Sequence, residues 1–207
     1  MRGFLPAIFL LSQAAFAQPV SIGIRGGVPF TGAFSDVTTS SSGSEFVRQF
    51  SASDEYLIGP MVELHLPLGF SVEADALYHP LDLTQEINNG TSTFRNSTLI
   101  SSWEFPILAK YHFLPFPLLK PYVEAGPSFR ATGGAVSNYL SKAGFTVGAG
   151  VEIKFRRLHL EPELRYIRWG ADANLTYGQT ITGVPAPATN LAASNLNQVQ
   201  FLVGIAF

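Results

Sequence analysis

Apolar residues recur at every second position through eight stretches of the chain, at 20–30, 56–66, 70–81, 99–113, 120–130, 145–155, 158–169 and 197–207. Side chains alternate between the two faces of a strand, so residues two apart share a face. In the first stretch Val20, Ile22, Ile24 and Val28 share one. In the second Tyr56, Ile58, Val62, Leu64 and Leu66 do, and in the fourth Trp103, Phe105, Ile107, Ala109, Tyr111 and Phe113. The last stretch sets Val199, Phe201, Val203, Ile205 and Phe207 on one side. Each stretch has the ~10 residues that a tilted strand needs to cross a bilayer.

The connections between these stretches alternate in length. Long ones at 31–55, 82–98, 131–144 and 170–196 are interleaved with short ones at 67–69, 114–119 and 156–157. Outer-membrane barrels pair long outer loops with short periplasmic turns in this way. With the first strand starting in the periplasm, aromatics gather at both strand ends. Phe30, Tyr56, Tyr78, Trp103, Phe129, Phe145, Tyr166 and Trp169 fall at the outer end, and Phe70, Tyr111, Phe113, Phe116, Phe155 and Phe207 at the inner. Aromatic rings suit the headgroup layer, and two girdles are expected of such a barrel.

Residues 1–17, MRGFLPAIFLLSQAAFA, carry an early Arg2, a short apolar core and a small-x-small site at Ala15-Phe16-Ala17. They read as a secretory signal peptide, which leaves 18–207 as one domain. An anchor helix would need ~20 apolar residues, and Ser12 and Gln13 interrupt the run. The chain has no cysteine, which excludes a disulfide framework and thiolate chemistry. Its formal net charge of −2 offers no basic excess for nucleic acid. Charged residues make up 14% and aromatics 13% of a chain without a long apolar run. That balance suits a barrel, whose alternation hides the lipid face.

These features resemble the outer membrane protein beta-barrel domain family, the small OmpA-like and OmpX-like barrels. The resemblance rests on the Ala-Phe-Ala/Gln cleavage site, the eight alternating stretches with long outer loops, and the terminal Phe207 after Phe201, Val203 and Ile205. It implies an all-β, eight-stranded antiparallel up-and-down transmembrane barrel in the outer membrane. It also implies that the last strand is the signal read by the barrel assembly machinery.

The other strand face holds the charge. Its acids are Glu63, Glu73, Asp75, Glu104, Glu124, Glu152, Glu161 and Glu163; its bases are Arg25, Lys110, Arg130, Lys154 and Arg165; beside them stand His65, His112 and His159. A Lys or Arg facing lipid near the midplane costs ~2–4 kcal/mol, so this face is expected to line the lumen. Eight strands enclose a space that side chains fill, and close charges of both signs are expected to pair there. Gly23, Gly59, Gly126, Gly148 and Gly150 are expected to make room for the long side chains, or to leave a narrow passage.

Other chemistry is weaker in the sequence. Glu73 with Asp75, and Glu161 with Glu163, are acids two apart that suit either a metal, a shared proton or a salt-bridge network. A lipid hydrolase of the barrel type would show His-x-Ser, and none of the four histidines is followed by Ser at that spacing. The glycines at 144, 148 and 150 open a strand and lack the Gly-Lys-Ser/Thr ending of a phosphate loop. The Ser/Thr-rich segment 35–45 and the weakly charged 171–195 are the places for surface recognition. The expectation is a structural or surface-interaction barrel with no cofactor and no catalytic role. Its partners would be outer-membrane lipid, the assembly machinery and a surface ligand at the outer loops. A narrow channel for small or apolar solutes and a lipid-modifying enzyme are the alternatives.

Overall fold

The computed structural model describes residues 20–34, 36–40, 45–51, 55–113, 118–133, 140–156, 158–170 and 195–207. The signal peptide expected at 1–17 and nearly all of the last long connection lie outside these residues. The strands are β1 Val20–Pro29, β2 Val37–Ser40, β3 Glu45–Ser51, β4 Leu57–His65, β5 Phe70–Asp75, β6 Leu77–Asn89, β7 Thr93–His112, β8 Leu119–Thr132, β9 Ala143–Phe155, β10 Leu158–Trp169 and β11 Asn197–Ala206.

Every pairing is antiparallel, and the sheet closes on itself. β1 pairs with β4 on one side and β11 on the other. β5 and β6 act as one stave, broken only at Ala76, which lies opposite Pro60, a residue with no N–H to donate to a ladder. The barrel therefore has eight staves. Closure reaches Phe207, which exchanges both backbone hydrogen bonds with Ile22, at 3.0 and 3.3 Å.

The stagger of the staves follows from the pairings. A path across directly paired residues runs Val20, Leu64, Val72, Ala109, Ala125, Val147, Tyr166, Val199 and back to β1's end at Phe30. It returns ten residues along from its start, a displacement that tilts strands of eight staves by about 40°.

Alternation decides the two faces. Ile22, Ile24, Ile58, Leu64, Ile107, Leu164 and Ile205 face outward and are exposed, while the residues between them are buried. At the long-loop end Tyr56, Tyr78 and Trp103 form a ring of contacts 5.4–6.5 Å apart, and at the short-turn end Phe70 packs on Tyr111 at 4.9 Å. Trp169 departs from the girdle expected of it. It is 1% exposed and points inward, in phase with Glu163 and Arg165 along β10.

The segment 82–98 also departs from the loop expected of it. β6 and β7 run on beyond the barrel to a tight turn at 90–92, and β3 and β2 add to β6 to make a small sheet above the rim. In the turn Gly90 has φ of 83°, and the Asn88 and Asn89 side chains accept from the N–H groups of Gly90, Thr91 and Ser92. Beyond Thr84 both faces of this extension meet water, so its sequence carries no apolar alternation to read. Ala33, Phe34, Leu81, Ile100 and Leu140 form an apolar plug beneath it, over the long-loop mouth.

Candidate functional site

The inward face stacks polar side chains in three tiers below that plug. The middle tier is the densest. Arg25 on β1 grips Glu73 through both of its terminal nitrogens and reaches Asp75 at 3.2 Å, Glu161 at 3.0 Å and Glu163 at 3.2 Å. Arg165 on β10 contacts Glu73 at 2.6 Å, Asp75 at 2.7 Å, Glu124 at 2.8 Å and Glu163 at 2.6 Å. Lys110 on β7 joins Glu73, Glu161 at 2.9 Å and Glu63 at 3.6 Å, with its ammonium 4.5 Å from the centre of the Tyr122 ring. The Tyr122 hydroxyl donates to Glu163 at 2.7 Å. All three cations are buried to within 1% of full burial.

Two carboxylate triplets in this tier have the spacing of a metal site, Glu63/Glu73/Glu161 and Glu73/Glu124/Glu163. Each already holds a cation of the chain: Lys110 contacts all of the first triplet, and Arg165 all of the second. The arrangement fits an internal salt-bridge lattice, with the metal's place taken by ammonium and guanidinium.

The upper tier centres on Glu104 and Arg130, 3.0 Å apart. Arg130 also donates to Gln198 at 2.8 Å and lies flat 3.8 Å from the Trp169 ring centre, while the Trp169 indole N–H donates to Gln198 at 2.8 Å. Gln200 donates to Glu104 at 3.0 Å. His79, fully buried, sits 2.9 Å from Glu104 and 3.4 Å from Glu55. Tyr122, His79, Glu55, Trp169, Gln198 and Gln200 had escaped the sequence-based selection of lumen groups. For His79 and Trp169 the period of two already points inward; Pro80 beside His79 weakens the strand signal there, and an aromatic at a strand end, as Trp169 is, suits a girdle as well as a lumen.

The lower tier lies at the short-turn end, around a cavity of about 420 Å³. Glu152 reaches Lys154 at 3.0 Å, His159 at 3.3 Å, His112 at 3.5 Å and Lys120 at 4.0 Å. His65 contacts Ser21 at 2.8 Å through Nε2 and Glu63 at 3.6 Å through Nδ1. The structure thus brings together a Ser, a His and a Glu that no sequence spacing announced, since they meet across β1 and β4.

The inward glycines do two different things. A Cβ on Gly148 would lie 2.5 Å from the Glu124 carboxylate, and one on Gly150 would lie 2.5 Å from the Tyr122 hydroxyl. These positions make the room expected of them, and the room is filled. At Gly23, Gly59 and Gly126 a Cβ would strike a neighbouring strand's carbonyl at 1.8–2.2 Å, so these glycines admit close backbone approach instead.

No curated protein matches the chain in sequence. Among solved structures it is similar to the outer membrane protein OprG from Pseudomonas aeruginosa, at 11% identity and a TM-score of 0.50, over 90% of this chain and 91% of that one. That likeness concerns the fold. The profile of the outer membrane protein beta-barrel domain matches residues 16–168, most of the chain. A closed eight-stave barrel with an apolar outside, a charged inside and this match belongs to the outer membrane protein beta-barrel domain family.

Proposed function

We propose that the protein is a sealed, non-enzymatic barrel of the outer membrane, serving a structural role or surface interaction through the extension formed by β2, β3, β6 and β7. Its short turns face the periplasm. The observation that carries this reading is the middle tier, where Arg25, Lys110 and Arg165 cross the lumen and tie staves β1, β4, β5, β7, β8 and β10 together. Side chains so buried and so closely bonded across the lumen argue against a water path between the two mouths.

The enzymatic alternative would use Ser21 and His65. Their 2.8 Å contact suits a nucleophile and its base, but Glu63 stands 3.6 Å from His65, beyond a hydrogen bond. Beside Ser21, the Ile22 N–H is already bonded to Phe207, and β1 is laddered on both sides. Backbone donors for an oxyanion are therefore committed.

Two measurements test this. In planar bilayers the purified protein should show no stable single-channel steps; reproducible steps would promote the channel. A fluorophosphonate probe should leave the protein unlabelled, and labelling lost in Ser21→Ala would establish the enzyme.

A further inference from the structure

The tiers are not electrically balanced. In the middle tier six carboxylates, Glu63, Glu73, Asp75, Glu124, Glu161 and Glu163, face three cations. In the lower tier the balance reverses. Among the described residues lining its cavity Glu152 is the one acid, and around it stand Lys120, Lys154, His65, His112 and His159. Four of those five basic groups lie within 4.0 Å of that single carboxylate.

We infer that this cavity is a binding site for a small free oxyanion, carrying a phosphate or carboxylate group, that enters from the short-turn mouth. Three features of the cavity lead there. The first is donor supply: the ammonium groups and imidazoles come from β4, β7, β8, β9 and β10 and surround the cavity, while Ser21 adds a hydroxyl from β1. Ammonium offers only donors, so the complementary ligand is rich in acceptors. A metal ion would meet two ammonium groups, and the metal-spaced groups among the described residues are the carboxylates of the middle tier. An apolar ligand would leave the donors unpaired.

The second is spare donor capacity. Nδ1 of His159 is buried without a well-formed hydrogen bond, 3.3 Å from the Glu152 carboxylate. The basic side chains share one acceptor at 3.0–4.0 Å and have capacity to spare. The third is space and access. The volume of about 420 Å³ falls within the ~300–1,000 Å³ common for ligand pockets. The lysines are about 30% exposed and the histidines 12–26%, so a solute reaches them directly. Above the cavity the buried, mutually bonded side chains of the middle tier bar the way and make the site a dead end.

The test uses the protein in detergent micelles, titrated with inorganic phosphate at constant ionic strength and followed by the NMR resonances of its histidine rings. Because no bilayer is needed, the result is independent of whether the lumen conducts. Saturable shifts are expected at His65, His112 and His159, with none at His79 in the upper tier. Lys120→Gln with Lys154→Gln should weaken binding at least about tenfold, and Lys142→Gln at the opposite end should leave it unchanged. If the double variant does not give a folded amide spectrum, Lys154→Gln alone should still weaken binding severalfold. Shifts that grow linearly with phosphate, or that respond equally to Lys142→Gln, would overturn the proposal.

Discussion

Glu73 accepts from three cations at once, Arg25, Lys110 and Arg165, each buried within the lumen. Replacing it with Gln leaves each cation its other acidic partners but removes charge-assisted bonds that no water replaces in this dry tier, at a cost of ~1.5–3 kcal/mol. Glu152 has more basic neighbours, yet Lys120 and Lys154 are about 30% exposed and regain water when it is lost. Glu152→Gln should therefore cost no more than about 1 kcal/mol. Urea unfolding in lipid vesicles, followed by tryptophan fluorescence, separates the two; equal losses would refute the distinction between a dry middle tier and a wet lower one. Which face carries the charge was readable from the period of two, for the sixteen acids, bases and histidines named above, while Trp169, expected in the outer girdle, turns inward. Which of the charged groups meet was not. Arg25 touches Glu161 across 136 residues of sequence because the staves are staggered, and stagger depends on the ladder pairings. Arg130 pairs with Glu104 in the upper tier.

At the level of strands, the outward face of β9 gives the sharpest comparison. Val151 lies between lipid-facing Val147 and Phe155, so Val151→Arg puts a cation among acyl chains at ~2–4 kcal/mol. Thr98→Arg, on the part of β7 above the barrel where residues 93–99 are exposed, should change stability by less than ~0.5 kcal/mol. The fraction inserted into vesicles, read from heat-modifiable migration on gels, reports both. Equal tolerance of the two would place Val151 away from lipid. The same contrast explains how far the strands could be traced in advance. Alternation marks a strand only where one side is oil and the other is not. The eight membrane-crossing runs met that condition, whereas 82–98, wet on both sides beyond Thr84, reads DLTQEINNGTSTFRNST and looks like loop. Its strand character comes from hairpin pairing with β3 and from the Asn88–Asn89 turn.

For the molecule as a whole, closure is the organising event. Phe207 completes it by exchanging both backbone bonds with Ile22, and its ring is exposed at the short-turn rim. Deleting Phe207 should lower the amount of barrel assembled in the outer membrane while leaving synthesis unchanged. Quantifying membrane-extracted against total protein checks this, and normal levels of the truncated barrel would refute it. The lattice of the middle tier adds a consequence for how the chain reaches its final state. Arg25 arrives with the first stave, Glu73 and Asp75 with the third, Glu161, Glu163 and Arg165 with the seventh. Until the ends meet, a half-built sheet holds these groups with their counter-charges missing. A partly zipped barrel is thus penalised in proportion to what it lacks, and the gain comes all together at the last contact. Such a molecule should pass between open and closed forms in a single concerted transition, slowly, because the rewarding contacts join residues that lie far apart along the chain.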